Sequence, residues 1–63
     1  PSPETFQAVA YFIAVMYGQV DKKPKITIHT ANPIGAKEIK NILFGFDCVV
    51  KPENRVNRLE TEL

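Results

Sequence analysis

The sequence predicts a small single-domain fold of the α+β or α/β class. The expected order is α-β-α-β followed by a final strand or helix. A two- to three-stranded sheet would be covered on one face by two helices. Three observations lead there. Ala8 to Tyr17 is a ten-residue run with no polar group except two tyrosine hydroxyls. Lys25 to Thr30 alternates, with both isoleucines on one side, as a half-buried strand does. Between that strand and a second apolar alternation at Phe46 to Val50, Ala36, Ile39, Ile42 and Leu43 recur at helical spacing.

The first helix is signalled at both ends. Ser2 suits the N-cap, Pro3 the first helical position, and Glu4 the positive end of the helix dipole. Gly18 suits the left-handed residue just past a helix end. At about 100° per residue, Phe6, Val9, Ala10, Phe12, Ile13, Met16 and Tyr17 form one broad apolar arc, expected to face the core. The opposite arc holds Glu4, Gln7, Ala8, Tyr11, Ala14 and Val15, and is only half polar. Ala10, Ala14 and Gly18 are four apart, a spacing that lets two backbones approach closely.

Gln19 to Pro24 is a polar connection ending in a proline turn. After the first strand, Asn32-Pro33 opens the second helix by cap-then-proline logic. Lys37, Glu38, Lys40 and Asn41 should face water, and Gly45 should close the helix. The strand–helix–strand segment from Lys25 to Val50 predicts a right-handed parallel crossover. Phe46, Cys48 and Val50 would share one face of the second strand. Lys51 to Asn54 is a turn. Arg55 to Leu63 fits either a helix, through Val56, Leu59 and Leu63, or a strand returning through a hairpin. Asn57 and Thr61 are poor helix formers and, with the turn residues before them, favour the strand. Lys25, Thr27, His29, Asp47 and Val49 would form a polar face that stays open or pairs with another copy.

Composition narrows the function classes. The 63 residues are 44% apolar and 24% charged, with a net charge of +1, so no strong field steers the chain toward nucleic acid or acidic lipid. Cys48 is the one cysteine and His29 the one histidine. No internal disulfide and no Cys/His zinc set follow from that, and a lone thiol fits an intracellular, cytoplasmic setting. The apolar run is shorter than the about 20 residues a membrane span needs. Glu4 stands where a signal peptide would carry basic residues. A core this small supplies only about 3–5 kcal/mol, and small domains often add oligomerisation.

The sequence offers little catalytic chemistry. Cys48 and His29 fall on neighbouring strands but on opposite faces, so a buried core thiol and a solvated histidine are expected rather than a nucleophile and its base. Asp47 and His29 would share the outer face as a cross-strand pair. Glycines 18, 35 and 45 make no phosphate loop. Asn32-Pro33-Ile34-Gly35 has the place of an anion-holding helix start, yet a plain capped turn accounts for it. No catalytic residue, metal site or cofactor is expected.

Two functional expectations remain. One is a non-catalytic interaction or regulatory module that self-associates, or docks on a protein partner, through the first helix. Its contact candidates are Gln7, Tyr11, Ala14, Val15 and Gly18. The other is a small nucleic-acid-binding regulator using Lys22, Lys23, Lys25, Lys37, Lys40, Lys51, Arg55 and Arg58, provided these converge. Asp21, Glu38, Asp47 and Glu53 are interleaved with them, which is the pattern of an ordinary solvated surface.

Ile13 to Gln19, then Lys25 to Ile28, then Ala36 to Lys40 together faintly resemble half of a LAGLIDADG homing endonuclease. The resemblance implies a helix packed on its twin and dimeric DNA binding. Gln19 stands where that family has its metal-holding acid, and the family's longer hairpin is missing. These departures imply binding without cleavage and keep the resemblance from defining the fold.

Overall fold

The computed structural model describes the backbone of residues 3–63 and the side chains of residues 5–63. The order is α1 (Pro3–Tyr17), β1 (Lys25–Thr30), α2 (Pro33–Ile42), β2 (Asp47–Lys51) and β3 (Asn57–Glu62). The expected α-β-α-β order therefore holds, and the last segment is a strand. The expected Ser2 cap and the Glu4 side chain lie outside the described set.

The three strands form one sheet in the order β2-β1-β3. β1 runs parallel to β2, through the α2 crossover, and antiparallel to β3. The last strand is thus not the hairpin partner of β2. Its connection passes the end of β1 and delivers β3 to the opposite edge. Arg55 turns this connection with a φ of 61°. β1 already holds β2 on one side, so its other side offers a full row of unpaired backbone groups to β3.

The core lies on one face of the sheet. Phe6, Ala10 and Ile13 of α1 meet Ala36 and Ile39 of α2, Leu43 just beyond it, and Ile26 and Ile28 of β1. Ala14, Tyr17, Ile42, Phe46, Cys48 and Leu59 pack around this cluster half-buried. Alternation along β1 puts both isoleucines inward, and α2 turns Ala36, Ile39 and Leu43 to them while Lys37, Glu38, Lys40 and Asn41 stay exposed. Val50, expected inward, remains exposed because β2 is an edge strand that the helices do not cover fully.

Two side chains fix the joint between β1, α2 and β3. Asn32 Oδ1 accepts from the backbone N–H of Ile34 at 3.0 Å and Gly35 at 3.2 Å, as expected of an N-cap. The buried Thr30 hydroxyl donates to Asn57 Oδ1 at 2.6 Å and accepts from the Asn32 N–H at 3.1 Å. Gly45 follows α2 with a φ of 90°, in the left-handed region. Gly18 departs from expectation, since it is not among the positive-φ residues. It is needed for space instead, because a Cβ there would lie 2.6 Å from the Ala14 carbonyl oxygen.

Ile28→Ala should cost about 2–5 kcal/mol, most of what so small a core provides, and urea unfolding followed by circular dichroism should find the variant largely unfolded. Gly45→Ala should cost about 1–2 kcal/mol through its left-handed backbone alone. An unchanged urea midpoint would refute either expectation.

Candidate functional site

α1 is packed more narrowly than its sequence suggests. Among its described side chains only Phe6, Ala10 and Ile13 are buried, with Gln7, Ala14 and Tyr17 half-covered. Val9, Phe12 and Met16, expected in the core, are exposed. The reason is the position of the helix between two neighbours. α1 packs on α2 along one flank and on β3 along the other. On the α2 side Gln7 Nε2 donates to Glu38 Oε2. On the β3 side Val9 borders a cavity of about 230 Å³ that Thr5, Phe6, Asn57, Arg58 and Leu59 also line.

This placement changes the list of contact candidates. Tyr11 and Val15 do point outward, with 59% and 79% of their surface exposed. Ala14 and Gln7 do not, since both are half-buried on the core and α2 side. Gly18 is exposed but lies past the helix end. In their place come Phe12 at 63% and Met16 at 52%. The outward face is a continuous arc through Tyr11, Val15, Ala8, Phe12, Met16 and Val9, and between Ala8 and Met16 no charged residue interrupts it. The signal that could have found it is the lack of any polar residue from Ala8 to Met16 save Tyr11. Such a run gives no hint of which side meets the core.

The sheet face away from the helices is open and charged. Cross-strand register sets three rows on it: Asp47–Lys25–Glu62, Val49–Thr27–Glu60 and Lys51–His29–Arg58. Asp47 therefore neighbours Lys25, and the expected Asp47–His29 pair does not form. His29 is not solvated either, being only 3% exposed. Lys51 and Arg58 flank it, Glu53 Oε1 lies 3.2 Å from Nδ1, and Glu60 Oε1 lies 3.0 Å from Nε2. Arg58 Nη2 stands 4.0 Å from the same Glu53 oxygen. A neutral imidazole can donate to one of these carboxylates, and a doubly protonated one to both. The His29 hydrogen bond holds the Glu60 carboxyl below the usual carboxylate range against a smaller opposing effect of desolvation, aided by the charges of Arg58 and Lys51. Glu53 and Glu60 escaped sequence reading because nothing local ties the last strand to β1.

The basic residues are divided among separate surfaces. Lys25 sits at one end of the open face and Lys51 and Arg58 at the other. Lys37 and Lys40 lie on α2, in the other layer. Lys23 bonds the Val20 carbonyl at 3.5 Å, with its ammonium 5.9 Å from the Phe46 ring centre. Lys22 is exposed in the α1–β1 connection. Arg55 lines a cleft of about 450 Å³ with Ala31, Asn32, Val56 and Asn57. Asp47, Glu53, Glu60 and Glu62 stand among the sheet cations.

Cys48 packs half-buried against the core and carries a free thiol. Burial pushes its pKa up, Lys40 opposes this, and Asp47 adds to it. At neutral pH it is a thiol, the form that is neither nucleophile nor metal ligand. Among the described residues, no group of three or more His, Cys, Asp or Glu could hold a metal ion. Nor is any described helix long and apolar enough to cross a membrane. No protein-family model, curated protein or solved structure matches this chain.

Because the folded Glu60 pKa is lowered, its stabilising contribution is present above the ordinary glutamate pKa of about 4.3. That contribution is lost as pH falls through the lower folded value. Urea midpoints measured across acid pH should fall more steeply for the native chain than for Glu60→Gln, and parallel curves would rule the contribution out. Cys48 should react with a thiol reagent at neutral pH more slowly than an unfolded control.

Proposed function

We propose that this chain is a small non-catalytic interaction module that works through the outer face of α1, by self-association or by docking on a protein partner. One observation carries the reading. Tyr11, Phe12, Val15 and Met16 are each more than half exposed on a single helix whose opposite side already serves the core. Contiguous apolar surface of this kind tends to mark interaction sites in soluble proteins. Removing it from water is worth about 25 cal/mol per Å², a large gain for a domain of such small intrinsic stability. A free, half-buried thiol is compatible with an intracellular, cytoplasmic place of action.

The nucleic-acid alternative has less behind it. Phosphate tracking needs cations gathered along one surface. Here the candidates are split between α2, the two ends of the open sheet face and the connections, with carboxylates beside them.

Light scattering on a sizing column, from micromolar to millimolar concentration, tests the reading. The native chain should gain mass with concentration. Phe12→Glu and Val15→Glu should abolish the gain without lowering the melting temperature, because both side chains are exposed in the single chain. A native chain that stays monomeric throughout, or glutamate variants that still assemble, would reject self-association through α1. Ile13→Glu should instead unfold the domain.

A further inference from the structure

We propose that the partner is a second copy of this chain, joined edge to edge by antiparallel pairing of β3 with the partner's β3 about a two-fold axis at Leu59. This rests on the reading that α1 is a contact surface, and it adds the occupant and the register.

Among the described residues β3 is paired on one side only, so its outer row of backbone N–H and C=O groups has no strand there to bond. The apolar arc of α1 lies beside this same edge, since Val9 borders the cavity shared with Asn57, Arg58 and Leu59. A two-fold axis normal to the sheet would place both α1 helices on one face of a six-stranded sheet. The partner's arc would then approach Val9, Phe12 and Met16 while the two edge strands pair. One contact would pair the open edge and cover the β3-side flank of the arc.

Charge selects the register. β3 reads Asn57-Arg58-Leu59-Glu60-Thr61-Glu62. Arg58 and Glu60 lie on the open face, and Leu59 on the core face. With Leu59 opposite the partner's Leu59, Arg58 faces the partner's Glu60 and Glu60 faces the partner's Arg58. Directly opposed side chains of this kind lie about 4.5–5.5 Å apart at Cβ, where opposite charges attract and like charges repel. Sliding by two residues one way opposes Arg58 to the partner's Arg58. Sliding the other way opposes Glu60 to the partner's Glu60. Both side chains are more than half exposed in the single chain and within reach of a neighbour. The core-face pair, Leu59 on the partner's Leu59, extends the hydrophobic layer across the axis. β2 is the other open edge, and Asp47 and Lys51 give it a charge pattern of similar symmetry. It lacks a flanking apolar helix face, since α1 packs on β3.

A charge swap tests this directly. Dimer dissociation constants would be measured by analytical ultracentrifugation, with circular dichroism confirming the fold. Arg58→Glu and Glu60→Arg should each weaken the dimer by roughly ten-fold or more, as two attractive cross-strand pairs become repulsive. The double variant carrying both changes should recover most of the loss, because the pairs are restored with signs exchanged. Lys51→Glu should leave the dimer unchanged. Single variants that dimerise like the native chain, a double variant that fails to recover while folded, or a dimer lost on Lys51→Glu would each overturn the proposal. If the Arg58 and Glu60 variants have no effect while Phe12→Glu dissociates the dimer, the edge pairing falls and the α1 surface stands. If the native chain never dimerises, the edge pairing and self-association fall together, and docking on a different protein is what remains of the α1 reading.

Discussion

Among the described strands, Lys25–Thr30 alone has a neighbour on each side, and both its isoleucines are fully buried. The parallel pairing to β2 and the antiparallel pairing to β3 are made on this strand, and α2 packs on it directly. Its ends are tied as well. Thr30 links the start of α2 to Asn57 of β3, and His29 meets carboxylates from β3 and from the β2–β3 connection. In a chain of 63 residues the hydrophobic layer is thin. One well-satisfied central strand lets a sheet of this size hold two helices without an internal disulfide.

Cover on one face only has two consequences. The uncovered face must be polar, and it is built from charges that neutralise one another along and across the strands. His29 is buried there by its neighbours alone, with Lys51 and Arg58 at its flanks and Glu53 and Glu60 at its two nitrogens. The second consequence falls on α1. A helix apolar around most of its circumference can give the core only the arc that touches the sheet and α2. The rest of its apolar surface faces solvent, from Tyr11 round to Val9, beside an edge strand that has an unpaired side.

Much of the fold was legible in local chemistry. The Asn32-Pro33 helix start, the isoleucine alternation of β1, the Ala36, Ile39 and Leu43 stripe, the inward Cys48 and a glycine just past the end of α2 all came from residue type and spacing. The candidate site was legible only in part. Tyr11 and Val15 were recognised as outward, while Phe12 and Met16 were assigned to the core. Gln7 and Ala14 were assigned to the surface although they lean toward α2 and the core. With apolar residues all round, the wheel has no polar side to orient it, so its rotation is set by what it packs against. His29 departs from expectation for a related reason. Its burial depends on Arg58 and Glu60, some thirty residues away, and on a strand whose pairing partner has no local signature.

The amino-acid sequence by itself determined the kinds and order of the first four elements, the Asn32 cap of α2, and the inward faces of β1 and α2. Those properties follow from side-chain periodicity and backbone preference, which act over a few residues. Only the tertiary structure decided that β3 joins β1 rather than β2, which arc of α1 is left exposed, and that His29 is enclosed between two carboxylates. Each of these depends on contacts between segments far apart in the chain. Their outcome rests on which unpaired backbone row and which apolar surface remain available once the local elements have formed.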